Sequence, residues 1–203
     1  NSVGEAMTKE LDINTVTKIV GDKVRDIFCA EITEILLLDH ESYIIESHYS
    51  FYNGYQTFEP IKLGEGLTSK IIRSRKPLIL NTIDEQIKNG AIIQSEEDYS
   101  ESYMGVPILF GEKVLGVVSV QSYTASKFEE SNVRLLTTLS SNMGIALQNA
   151  RLFEETTRLL TETEQHSAEL AVIHSVQEGL VAEMDMQWID DLVGDKIRNL
   201  FDA

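Results

Sequence analysis

The sequence has one cysteine, three prolines and one tryptophan in 203 residues, and its 17 Lys and Arg are outnumbered by 33 Asp and Glu. A single thiol, Cys29, cannot form an internal disulfide, which fits a reducing cytoplasm. It also cannot build a cysteine-rich zinc site. The formal net charge of −16 argues against nucleic acid and against anionic membrane surfaces, both of which call for clustered Lys and Arg. No apolar run approaches the roughly 18–20 residues that cross a bilayer, and the first residues lack the charged-then-apolar pattern of a secretion signal. The expectation is a cytoplasmic segment that makes no membrane contact of its own.

What is present is a long-period repeat. Residues 1–30 align without gaps on 174–203, with 12 of 30 identical. The densest block is Val20-Gly21-Asp22-Lys23-Val24-Arg25 against Val193-Gly194-Asp195-Lys196-Ile197-Arg198. Ile13, Val16, Val20, Val24 and Ile27 align with Met186, Ile189, Val193, Ile197 and Leu200, a helical spacing that gives each segment one apolar stripe. A period of this length suits whole domains in series rather than a solenoid. The chain therefore reads as a complete domain over 1–165, a connecting helix over 129–182 and the first helix of a second repeat over 183–203.

Between the repeats the period alternates. Glu31 to Leu38 and Tyr43 to Phe51 read as strands around the turn Asp39-His40-Glu41-Ser42, and Gln56 to Leu63 as a third. Gly64-Glu65-Gly66 breaks the chain before a short helix, Leu67 to Arg75, closed by Pro77. Leu78 to Leu80 is a short strand, and the acidic stretch Thr82 to Ser102 carries surface helix. Tyr103 to Phe110 and Lys113 to Ser122 form a hairpin around Gly111-Glu112, with Pro107 expected at an edge or bulge. From Glu129 the period becomes helical, and no proline interrupts it as far as Met184. Leu136, Leu139, Met143, Ala146, Ala150 and Phe153 keep a 3-4 spacing that reads as a dimer seam. The seam resumes at Leu170, Ile173, Gln177 and Leu180 one residue out of step, so a phase break or frayed segment is expected near Thr161 to Ser167. The class is α+β with a mainly antiparallel sheet.

Several of these segments resemble the GAF domain. They are Leu63-Gly64-Glu65-Gly66-Leu67, Arg73 to Ile79, Gly105-Val106-Pro107-Ile108, Gly111 to Val117, and Phe128-x-x-Ser131 leading into Val133-Arg134-Leu135-Leu136. Leu152-Phe153-Glu154-Glu155 and Ser175 to Leu180 are similar to bacterial signalling proteins in which several GAF domains precede a kinase or cyclase. The resemblance implies about six antiparallel strands, with the first and last helices on one face mediating a parallel homodimer and a ligand pocket on the other. It also implies an output domain elsewhere in the same polypeptide.

Each chemical motif has an ordinary alternative. The cyclic-nucleotide motif of the family falls on Gln121, Ser122, Phe128, Asn132 and Val133, and only Phe128 fits it. Cys29, at the end of the first helix, reads as a buried structural thiol away from the pocket, and the GAF methionine-sulfoxide reductases need several cysteines. His40, His48, His166 and His174 read as turn or surface residues rather than metal ligands, and no cofactor is assigned. Gly64-Glu65-Gly66 lacks the third glycine of a phosphate loop, with Ser69 in its place. Neither Ser69 nor Ser119 has His and Asp partners in view. The acidic run 84–101 reads as a solvated lid rather than a cation site.

The candidate pocket comprises Tyr49, Phe51, Tyr55, Phe58, Ile71, Ile79, Tyr103, Met104 and Val120, with Asn81 and Ser119 as polar contacts. An apolar lining with few polar groups suits a small organic ligand. The leading expectation is a non-catalytic regulatory module that binds a small molecule or partner and signals through its dimer helix. The alternative is a degenerate domain that only dimerises and spaces its neighbours.

Overall fold

A computed structural model describes residues 12–92 and 99–201, with side-chain surroundings up to residue 178 and at Val181. The chain divides into two units, Asn1–Phe153 and Glu154–Ala203. In the described order the elements are α1 (Ile13–Phe28), β1 (Ile32–Asp39), β2 (Ile44–Tyr52), β3 (Ile61–Lys62), α2 (Gly66–Ser74), β4 (Leu78–Leu80), α3 (Ile83–Lys88), β5 (Ser102–Phe110), β6 (Lys113–Ser122) and α4 (Glu130–Phe201). The six strands make one sheet in the order β3-β2-β1-β6-β5-β4, and every neighbouring pair is antiparallel. The α+β expectation holds.

Helix α1 starts where Asp12 accepts the amides of Asn14 (2.8 Å) and Thr15 (3.0 Å), a side-chain cap for otherwise unbonded N–H groups. It ends at Cys29, whose left-handed backbone (φ 44°) turns the chain into β1. Thr17, Gly21, Val24 and Phe28 face the sheet. Ile27, expected in that stripe, is 50% exposed. Phe28 takes its place, one residue on. Cys29 is exposed rather than buried, because a capping residue sits outside the helix's packed face.

The sheet is apolar on both sides. Against α1 and the start of α4 lie Ile35, Tyr49, Met104, Val106, Ile108, Val118 and Val120, with Val24, Phe28, Leu136, Met143 and Leu147 from the helices. The opposite face buries Leu38, Ile45, Tyr103 and Val117 beneath Leu67, Ile71 and Ile72 of α2. The break before α2 is held by Gly66 at φ 90° and by the Gly64 amide, which donates to Ser69 Oγ at 3.1 Å. Ser69 therefore serves the turn.

The third strand is much shorter than expected, since only Ile61 and Lys62 pair with β2. Upstream, Tyr55 folds back to form a bridge with Phe51, which draws this stretch off the sheet edge. Pro107 pairs with Val117 of β6. On its other side β4 has already ended, with Leu78 opposite Gly105, so the missing N–H breaks no ladder there.

Helix α4 is continuous through 161–167, where a phase break of the seam or a frayed segment was expected, so the helix does not fray there. Its first turns run close against β5, and Ser140 Oγ donates to the carbonyl of Pro107 at 2.8 Å. At Gly144 an added Cβ would lie 2.2 Å from the Leu109 carbonyl oxygen. Alanine for glycine usually stabilises an exposed helix. Gly144→Ala should instead cost about 1–3 kcal/mol through overpacking against backbone that cannot yield, read as a lower midpoint in urea unfolding followed by circular dichroism.

Candidate functional site

The eleven residues expected to line one pocket are split by the sheet. Successive strand residues point to opposite faces. Tyr49, Met104 and Val120 are buried on the side of α1 and α4, and Phe51 and Ile79 pack against that cluster. Ile71 and Tyr103 belong to the other core. Ser119 lies between Val118 and Val120, both of which face α1 and α4, so it points the same way as Tyr103. Tyr55 and Phe58 are exposed, at 57% and 50%. Asn81 follows β4, and its amide donates to Glu85 Oε2 at 2.6 Å.

On the helix side the aromatic residues form a clasp. The Tyr49 and Tyr55 hydroxyls both donate to Asp22 Oδ1, at 2.9 and 2.8 Å. The Tyr55 ring stands edge-on to Tyr49 (5.9 Å) and to Phe51 (5.6 Å). Arg25 pairs with Asp22 at 3.4 Å, and its guanidinium lies 4.3 Å above the Phe51 ring centre. Gly21 makes room for this, since a Cβ there would fall 2.5 Å from the Tyr49 ring. Burial, then the bond to the Asp22 carboxylate, pushes the Tyr49 phenol well above its ordinary value. These contacts use up Tyr49, Phe51 and Tyr55, three of the aromatic residues that the sequence offered to a ligand.

The opposite face holds a polar cluster centred on Glu34, a residue the sequence reading passed over. Glu34 stands at the middle of the sheet, directly across from Ser50 on β2 and from Ser119 on β6. Ser119 Oγ and Gln121 Nε2 donate to Glu34 Oε2 at 3.3 and 3.4 Å. Gln121 is oriented in turn by Ser100 Oγ at 2.7 Å, and Gln86 Nε2 of α3 donates to the Ser100 carbonyl at 2.7 Å. Tyr103 lies across Gly105, where a Cβ would meet its hydroxyl at 2.5 Å. Burial first, then the charge of Glu34, raises the Tyr103 phenol well above its usual value. Ser119 and Thr68 act in the opposite direction on it, yet neither closes a hydrogen bond, and the hydroxyl has no partner. The signal for this cluster was a lone carboxylate inside the run Ile32 to Leu38, in phase with Leu36 and Leu38.

An open cleft of about 600 Å3 lies elsewhere, lined by Gly64, Glu65, Gly66, Lys70, Arg73, Ser74 and Gly90. It contains none of the expected pocket residues. Part of the acidic run, 93–98, lies outside the described residues. Among the described residues no group of three or more His, Cys, Asp or Glu could hold a metal ion. His48 bonds Asn14 Oδ1 at 3.2 Å, and His40 bonds the Val114 carbonyl at 2.7 Å.

The expected dimer seam is also reassigned. Leu136, Met143 and Ala150 are 0–1% exposed, the first two within the core beneath α1 and α4, and Leu139 packs on its edge. Ala146 and Phe153 are half-buried. Among the described residues of α4 the buried positions are 133, 136, 140, 143, 144, 147 and 150, so the domain's own sheet occupies this stripe.

A six-stranded antiparallel sheet with the first and last helices on one face and short helices over the other is the architecture of the GAF fold. The chain belongs to the GAF domain family, whose model matches residues 10–148, more than half of the sequence. The Nif-specific regulatory protein of Herbaspirillum seropedicae is 28% identical over 127 residues, which are 57% of this chain and 23% of that protein. The chain thus spans less than a quarter of that relative. The GAF domain of the Acinetobacter phosphoenolpyruvate-protein phosphotransferase superposes with a TM-score of 0.59 at 22% identity, over 71% of this chain and 84% of that one. The free methionine-R-sulfoxide reductase of Neisseria meningitidis does so with a TM-score of 0.56 at 16% identity, over 72% and 92%. These structural likenesses speak for the fold. GAF domains typically serve as sensory or regulatory modules of signalling proteins, although some, such as that reductase, are enzymes. Among the described residues no helix is long and apolar enough to cross a membrane.

The clasp makes a testable claim. Asp22→Ala strands the buried Tyr49 hydroxyl and should cost about 1–3 kcal/mol in denaturant unfolding. In a Tyr49→Phe background the same substitution should cost clearly less, and equal costs would show that the bond is not felt.

Proposed function

We propose that this chain is a non-catalytic sensory module of a bacterial signalling protein. On this reading a small molecule binds the Glu34 face, and the change is relayed through α4 in a parallel homodimer to an output domain elsewhere in the polypeptide. The observation that carries it is that α4 has two apolar stripes. One is bound by the sheet. The other, Leu135, Ile145 and Leu152 in the first unit, is 44–53% exposed. In the second unit Leu159, Leu170 and Ile173 are 48–59% exposed.

By sequence these residues keep a single heptad register, with 145, 152, 159 and 173 on the same position and His166 on that position in between. This register needs no phase break, and Leu170 is in step with it. Asn142 and Asn149 fall on the alternate core position, where a polar residue fixes register and partner number at some cost in stability. A single helix as long as α4 has little with which to stabilise its exposed half, whereas pairing would bury that stripe. A domain that only spaced its neighbours would have no use for a carboxylate in the middle of its other sheet face, so sensing is the better supported reading.

The repeat belongs to the same proposal. Gly21, Asp22 and Arg25 make the clasp to β2, and Gly194, Asp195 and Arg198 preserve those three residues in the second copy. We read 183–203 as the first helix of a second GAF-like repeat, with residues 129–182 linking the two.

Ile145→Glu combined with Leu152→Glu should leave the circular dichroism of the sheet domain intact. Self-association measured by sedimentation equilibrium should weaken about tenfold or more, equivalent to at least about 1.4 kcal/mol. Met143→Glu, by contrast, should unfold the domain. Wild-type association of the double variant would remove the dimer from the proposal.

A further inference from the structure

Charge is unevenly placed along the chain. Residues 60–83, between Glu59 and Asp84, hold five of the 17 Lys and Arg but only one of the 33 Asp and Glu. They are Lys62, Lys70, Arg73, Arg75 and Lys76 against Glu65, so α2 and its flanks form a basic surface on an acidic protein. Arg75 pairs with Glu112. Lys70, Arg73 and Lys76 are exposed, and among the described residues none of the three forms an ion pair. Lys70 Nζ donates instead to a neutral acceptor, Asn89 Oδ1, at 2.7 Å. In a chain with so many carboxylates, neighbouring cations that meet none of them point to an acidic group from outside.

The open cleft runs along these cations. Gly66, Lys70 and Arg73 of its lining follow a helical spacing and so share one face of α2. Leu67, Ile71 and Ile72 make the buried face of the same helix, which puts the cleft on the side of α2 turned away from the sheet. Gly90, just past α3, completes it. An apolar side chain stands at the edge. Ile92 is 61% exposed, and its Cδ1 lies 3.6 Å from where a Cβ on Gly66 would be. Gly64, Gly66 and Gly90 carry no side chain, which lets a docked chain come close to the backbone.

We propose that this cleft docks a short acidic segment of a partner protein, with carboxylates on Lys70 and Arg73 and an apolar side chain against Ile92. Recognition of acidic motifs by clustered cations is a recurring mode of peptide binding. The cations here stand in the open along a helix face, which suits a row of carboxylates. A single small anion is held better by donors that converge in an enclosed site, and the exposed Ile92 offers it nothing. Nucleic acid is a polyanion too, but the charge of the rest of the chain repels it. Glu65, the one carboxylate of the lining, works against the acidic segment and limits its affinity. The site lies across α2 from the sheet, so it stands apart from the small-molecule reading of the Glu34 face.

The test uses the full 203-residue chain labelled with 15N, with amide chemical shifts as the readout. The probe is a short synthetic peptide of Asp and Glu around one Leu. Its controls are the same peptide with Asn and Gln in place of Asp and Glu, inorganic phosphate, and phosphatidylcholine vesicles containing phosphatidylglycerol. At millimolar concentration the acidic peptide should shift the amides of Gly66, Lys70, Arg73 and Gly90 in a saturable way, and the neutral peptide should not. Lys70→Ser combined with Arg73→Ser changes only exposed positions, so it should keep the circular dichroism and weaken peptide binding severalfold. Glu65→Gln should tighten binding, and added salt should weaken it. No saturable shift, or binding unchanged in the double variant, overturns the proposal. Phosphate that saturates the same amides as tightly as the peptide overturns it in favour of a small-anion site. Binding to the vesicles without binding to the peptide overturns it in favour of a membrane surface.

Discussion

A residue in a central strand can face only one side of the sheet, and β1 and β6 are covered on both. Ile35 and Val118 take the side of α1 and α4, while Leu38 and Val117 take the side of α2. The parity of these two strands therefore decides which side chains become packing and which can meet a ligand. It puts Glu34 and Ser119 together on the α2 side and sends Val120 the other way. Shifting β1 by one residue would bury the Glu34 carboxylate under α1 and α4, and shifting β6 would put Ser119 there in place of Val118 and Val120, each at a large cost.

The helix side is closed by specific polar contacts as well as by apolar area. Asp22 takes both tyrosine hydroxyls, Arg25 covers Phe51, and Gly21 lets the Tyr49 ring lie on the helix backbone. Together they fix the rotation of α1 over β2. The start of α4 is fixed differently, by small residues, with Ser140 bonded to Pro107 and Gly144 against Leu109. That close approach commits one stripe of α4 to the sheet and leaves a second for another occupant.

Local pattern was legible in the sequence. The bounds of β4 and β6 follow from apolar alternation and glycine turns, and the long helix from the change of period and the absence of proline. Site assembly was less legible, for two reasons. A pocket assembled by residue chemistry places Tyr103 with Met104 and Ser119 with Val120, although neighbours cannot share a face of a regular strand. Parity alone would have separated them. The 3-4 spacing on α4 is also shared by a helix packed on its own sheet and a helix packed on a partner, so spacing could not assign the occupant. What sequence alone withheld was the reach of Tyr55 back to Asp22, which shortens β3, and the irregularities between Ile35 and Leu36 and between Ile108 and Leu109.

The recurring block Val-Gly-Asp-Lys-Val/Ile-Arg then has a physical meaning. Its conserved part is not the apolar stripe alone, which many residues would satisfy. Glycine at its second position is required because a ring lies where Cβ would be. Aspartate is required because two phenols converge on one oxygen. Arginine both pairs with that aspartate and lies on an aromatic face, which lysine would do less well. In α1 all three demands come from the aromatic residues on which the helix docks. Gly194, Asp195 and Arg198 repeat the three residue types, and we count that recurrence as better support for the proposed second repeat than the number of identities.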